Sequence, residues 1–177
     1  MTNFAQTNKD DYPAAAGKHL SDADALLRAG RFDGAGYLVG YAVECSLRTV
    51  VMVGEIMRRG NVHHGQAAAA MKPGSPTMQR LKAVAAKEAR TVGGDHDLDA
   101  LAKATTSYVD VLNSTSVTYA PLVDATKPPW GGAWTHKLRY RAEKEVSEID
   151  AKAWLAEADK LYSSTVGLMT RNGLICK

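Results

Sequence analysis

Apolar residues recur along this chain at three- and four-residue steps, the period of an amphipathic helix. Ala16, Leu20, Ala23, Leu26 and Leu27 mark a first helix, which Asp11 caps beside Pro13 and which ends near residue 29, before Gly30. A second helix is predicted over 33–59 after almost no loop, which makes the first two antiparallel neighbours. Residues 60–74 read as a loop, with His63-His64-Gly65 and Pro73-Gly74 as punctuation. Ser75-Pro76 then opens a short third helix through Met78, Leu81 and Ala85 to about residue 90. Asp97 is the predicted N-cap of a fourth helix, whose inward face is Leu98, Leu101, Thr105, Tyr108 and Leu112. Residues 113–136 carry Pro121, Pro128-Pro129, Gly131-Gly132, Trp130 and Trp134, the mark of a long connection. The last helix is expected to begin between residues 133 and 147 and to end near 171. Its buried side should be Ile149, Trp154, Ala158, Leu161 and Leu168.

Strand alternation is scarce. The pattern therefore predicts an all-α domain over 12–171, an up-and-down antiparallel bundle of four to five main helices. A loose segment (1–11) precedes it and a tail (172–177) follows.

Composition narrows the function only a little. With 177 residues, 45% hydrophobic and 23% charged, the chain can bury a core without staples and is not of disordered or collagen-like type. A net charge of +3 and a pI near 8.8 are compatible with a nucleic-acid or nucleotide partner but do not establish one. Polar and acidic groups among the first twenty residues and the lack of an 18-residue apolar run predict neither a secretory signal nor a membrane span. Cys45 and Cys176 form no framework and fit a reducing cytoplasm. There is no Cys-x-x-Cys, Walker loop or serine elbow, and no histidine has glutamate three residues before it. No metal or cofactor is expected.

The second helix is the most informative segment. At about 100° per residue, Tyr37, Tyr41, Glu44 and Arg48 share one narrow stripe, while the rest of the circumference is small or apolar. A charged pair on so apolar a helix either fixes packing register as a local pair or lines a polar pocket or dimer seam. Gly34, Gly36 and Gly40 miss the dinucleotide-binding spacing by one residue and follow no strand, so close helix packing is their expected role.

Taken together, certain segments resemble a HEPN domain. They are His19-Leu20-x-Asp22-Ala23, then Arg31-Phe32-Asp33-Gly34-Ala35-Gly36-Tyr37-Leu38-x-Gly40-Tyr41-Ala42-Val43-Glu44-Cys45. Gly94-Asp95-His96-Asp97-Leu98-x-x-Leu101, and later Trp134 with Arg139-Tyr140, are similar to further motifs of one bacterial HEPN branch. The resemblance spans about residues 12 to 170. It implies a four- or five-helix bundle, commonly a homodimer, of a kind that acts on RNA or sits beside nucleotidyltransferases in toxin–antitoxin and defence systems.

Ribonucleases of that family carry arginine, four to six residues, then histidine near the start of the last conserved helix. Here that region runs from Arg139 to Val146 without a histidine. The resemblance therefore implies a non-catalytic module for RNA, a nucleotide or a partner such as a nucleotidyltransferase or antitoxin. The same spacing does occur from Arg90 to His96. There His96 would be the general base for a 2′-hydroxyl, with Arg90 on the scissile phosphate, in a metal-independent ribonuclease. Alternatively, His96 caps the fourth helix or fills an interhelical polar site. His136, Lys137, Arg139, Tyr140 and Arg141 form the densest basic cluster, beside Trp130 and Trp134. It either meets phosphates and bases or pairs with Glu143, Glu145 and Glu148 while the indoles cover the bundle end. Candidate binding residues are thus Tyr41, Glu44, Arg48, Asp97, Trp134, Lys137, Arg139, Tyr140 and Arg141. A protein-interaction scaffold without a nucleic-acid role is the remaining alternative.

Overall fold

Asp11 starts the first helix, α1 (Tyr12–Arg28), by accepting a hydrogen bond from the Ala14 amide at 3.1 Å. Gly30 ends it at φ +70°, where the Gly30 amide donates to the Leu27 carbonyl and the Arg31 amide to the Leu26 carbonyl. That paired closure reverses the chain within a few residues. The next helix, α2 (Phe32–Gly60), runs back along α1, placing Leu26 against Gly34 and His19 against Tyr41. A computed structural model describes residues 11–60, 76–92, 94, 96–113, 134–141 and 145–175. The predicted N-terminal segment, the loop with His63-His64, Trp130 and most of the 113–136 connection lie outside those residues.

Every residue from 42 to 57 is buried, so α2 is surrounded on all sides. Among the described helices α2 alone is long and apolar enough to cross a membrane, and 78% of that apolar window is buried inside the bundle. Its buried hydroxyls are satisfied locally, Ser46 donating to the Ala42 carbonyl and Thr49 to that of Cys45. The glycines allow close approach, as expected: Gly34 faces Leu26, Gly36 faces Val146 and Trp154, Gly40 faces Trp134 and Gly54 faces Tyr108.

Around α2 stand α3 (Pro76–Thr91), α4 (Leu98–Thr106), the single turn α5 (Val109–Leu112), a 3-10 turn at His136–Tyr140 and α6 (Glu148–Tyr162). A π turn at Ser163–Gly167 then leads into α7 (Leu168–Arg171). Helix is the only regular structure among the described residues. Asp97 does cap α4, accepting from Ala100 at 2.9 Å, and Leu98, Leu101, Thr105, Tyr108 and Leu112 are all buried. The fourth helix is nevertheless broken at Ser107-Tyr108. Thr105, Thr106 and Ser107 each donate a hydroxyl to the carbonyl three residues back, which draws the backbone into a tighter turn.

Tyr108 then reaches Glu55, a fully buried carboxylate on α2, at 3.1 Å. Arg58, at 2.6 Å, and Arg59 complete the shell of Glu55. Burial, and then the Glu55 charge, raise the Tyr108 phenol above its ordinary pKa.

Two expectations are corrected. Ile149 is 80% exposed, because Ala151 takes the inward position on the first turn of α6 and Ile149 lies about 200° from it. The residues placed after the bundle as a tail are not all outside its core, since Leu174 and Ile175 are buried. Gly173, at φ +70°, turns them inward, with the Leu174 amide donating to the Met169 carbonyl at 2.9 Å.

Candidate functional site

Along the Tyr37–Tyr41–Glu44–Arg48 stripe of α2, Glu44 and Arg48 form the local pair, and Tyr41 and Glu44 meet His96. Arg48 donates through Nε to Glu44 Oε1 at 2.8 Å, with Nη2 also 2.8 Å from that oxygen. Both residues are buried, Glu44 being 5% and Arg48 6% exposed. The remaining guanidinium nitrogen, Nη1, donates to the Ala89 carbonyl and, at 3.4 Å, to that of Val92. Arg48 thus caps the C-terminal end of α3, where unpaired carbonyls gather partial negative charge.

The second carboxylate oxygen, Oε2, lies 2.7 Å from His96 Nδ1. A carboxylate can only accept, so Nδ1 carries the hydrogen and a neutral His96 has its Nε2 as a free base. His96 sits in the left-handed region at φ +66°, alone among the described non-glycine residues. Burial of Glu44 and the short loop from α3 to α4 hold the histidine there.

Rings close the site. Tyr41 lies edge-on to His96 with centroids 5.4 Å apart, and His136 on the 3-10 turn lies 5.2 Å from His96. His19 of α1 flanks Tyr41 from another side at 5.8 Å. Burial, and then the neighbouring Lys18 charge, lower the His19 pKa, and its buried Nδ1 has no hydrogen-bond partner among the described residues. Burial and the hydroxyl of Tyr37, 3.3 Å away, raise the Tyr41 phenol. Trp134 fixes the 3-10 turn to α2, donating from Nε1 to the Tyr37 carbonyl at 3.1 Å with its indole over Gly40.

Exposed cations lie on and beside the 3-10 turn. The Tyr37 hydroxyl raises the Arg139 pKa, and the Arg139 guanidinium carbon lies 4.6 Å from the centre of the Tyr140 ring. Lys137 is exposed, and Arg141 pairs with Glu145 at 3.3 Å. Among the described residues no three His, Cys, Asp or Glu side chains are grouped to hold a metal ion.

The site therefore gathers Tyr41, Glu44, Arg48, His96 and Arg139. Arg90 is exposed on the last turn of α3, and the anchor of His96 is Glu44. Asp97 serves as a helix cap. Trp134 is only 6% exposed and packs inward because α2 carries no side chain at Gly40, so it positions the turn and presents no stacking face. Of the neighbouring residues, His136 was named in the basic cluster and Tyr37 in the stripe, whereas His19 was not a site candidate. His19 and His136 lie 77 and 40 residues from His96 and no local pattern joins them. Compared with family models, curated proteins and solved structures, the chain matches none.

Proposed function

We propose that the chain is an HEPN-like bundle that binds RNA or a nucleotide through phosphate at His96, His136 and Arg139, without efficient cleavage. The observation that carries this reading is the convergence of two imidazoles beside Tyr41, with the exposed Arg139 one 3-10 turn from His136. A guanidinium pairs well with phosphate oxygens, His136 can add an N–H donor, and His96, whose Nδ1 hydrogen serves Glu44, donates from Nε2 only as the imidazolium. The charge of Glu44 is engaged by Arg48 and His96, which limits its repulsion of an anion. Inefficient cleavage follows from the segment between Arg139 and Val146, which lacks the histidine of the family ribonucleases. With the resemblance come a homodimer in the cytoplasm, an up-and-down bundle, and a nucleotidyltransferase or antitoxin partner in a toxin–antitoxin or defence system.

Metal-independent ribonuclease activity is the second reading, and one observation favours it. His96 is oriented by a buried carboxylate on a strained backbone, with a second imidazole 5.2 Å away.

The test incubates labelled RNA in EDTA with the wild type, Arg139→Glu, His96→Ala and Arg90→Ala. Binding without cleavage is expected, weakened by Arg139→Glu whatever the base sequence. The salt slope should also flatten, by roughly 0.7 per lost single-strand phosphate contact. Cleavage that disappears in His96→Ala establishes the ribonuclease, and loss in Arg90→Ala as well restores the arginine–histidine pair. Absence of binding at low salt leaves the protein-interaction scaffold. Sedimentation should give twice the chain mass of 19.0 kDa.

A further inference from the structure

Phosphate capture accounts for His96, His136 and Arg139 but not for Tyr140. That residue ends the 3-10 turn with 73% of its surface exposed, while Leu138, two residues earlier, is buried. The turn is pinned from both ends of its apolar side, by Leu138 in the core and by Trp134 over Gly40. Tyr140 is thus an apolar ring displayed outward on a well-anchored segment. Arg139 lies over one face of that ring, and the high exposure leaves the opposite face open to solvent. Arg139 also stands one 3-10 turn from His136, the ring beside His96, so Tyr140 and the two imidazoles are adjacent.

We propose that Tyr140, backed by Arg139, is a stacking platform for an unpaired nucleobase whose phosphate meets His96, His136 and Arg139. This deepens, and rests on, the phosphate-binding reading above. A base inside a duplex has both faces covered by its neighbours, so only an unpaired, splayed base can lie on an aromatic ring. The ligand class is therefore single-stranded nucleic acid, with duplex excluded. Every base presents a π face, so the platform tolerates sequence. The cation beneath the ring reinforces the assembly, because a guanidinium over an aromatic face is attracted to it.

Fluorescence anisotropy of the full chain with three labelled probes tests this. The probes are a short single-stranded RNA, the same strand with abasic positions, and a blunt RNA duplex. Single strand should bind about 5- to 160-fold more tightly than the abasic strand, the range of one base–aromatic stack. Tyr140→Ala should remove that difference, and Tyr140→Phe should keep it. Equal affinity for intact and abasic strands, or an unchanged difference in Tyr140→Ala, overturns the platform while phosphate binding survives. Preference for duplex overturns it too. Failure of all three probes to bind at low salt overturns the phosphate reading and the platform together. Should Tyr140→Ala instead reduce the sedimenting mass and leave RNA affinity intact, Tyr140 belongs to a protein interface and the proposal fails.

Discussion

Replacing Glu44 by alanine tests the core of the site, because that one carboxylate holds both Arg48, the cap of α3, and the strained histidine. Arg48, 6% exposed, would lose its only counter-charge among the described residues. Breaking a buried pair in this way costs about 3–5 kcal/mol. Arg48 Nη1 keeps the Ala89 and Val92 carbonyls, which partly solvate the orphaned cation and place the cost near the lower end, about 3 kcal/mol. For a chain of this size each kcal/mol moves the midpoint by about 2–4 °C, so a fall of about 6–12 °C is expected.

The double change Glu44→Leu with Arg48→Met leaves no orphan charge. It does strip the cap from α3 and the partner from His96, so it should cost about 1–2 kcal/mol, one or two ordinary hydrogen bonds. Urea and thermal unfolding of wild type, both single variants and the double variant give the coupling directly. An unchanged midpoint for Glu44→Ala, or a double variant less stable than either single one, would refute the buried-pair reasoning.

Three further outcomes are expected. Gly40→Ala places a Cβ 1.8 Å from the Trp134 indole, so it should destabilise by about 1–3 kcal/mol, red-shift tryptophan emission and weaken RNA binding. Normal emission and affinity would contradict the packing of the 3-10 turn. Tyr108→Phe removes a hydrogen bond to the buried Glu55 carboxylate and should cost about 1.5–3 kcal/mol in urea unfolding, and a neutral effect would count against that network. Because the His19 pKa is lowered in the folded state, the unfolded chain binds more protons between that value and 6.5. His19 should therefore cost stability as the pH falls from about 7.5 through its unfolded value, and His19→Gln should flatten that loss. Parallel pH profiles for wild type and variant would exclude the linkage.

The elements of the fold were legible in the chain because their causes are local. Asp11 and Asp97 cap helices through bonds made within three residues, Gly30 reverses the chain, and the spacing of Leu98, Leu101 and Tyr108 marks an inward face. The Tyr37–Tyr41–Glu44–Arg48 stripe follows from helical geometry alone. Local cues misled where several residues competed for one role. Ala151, not the larger Ile149, points inward on α6, and three successive hydroxyls break the fourth helix that apolar spacing had made continuous. Leu174 and Ile175 join the core only because Gly173 turns them back onto it.

The site itself was decided by tertiary structure. The second oxygen of Glu44 reaches His96 across 52 residues, and His19 and His136 arrive from two other segments. Whether Trp134 packs or stacks was settled by the missing side chain at Gly40, 94 positions earlier. Periodicity reports which face of a helix is buried. It carries no information about which distant segment covers that face, because that choice minimises the free energy of the whole packed assembly and not of any one helix.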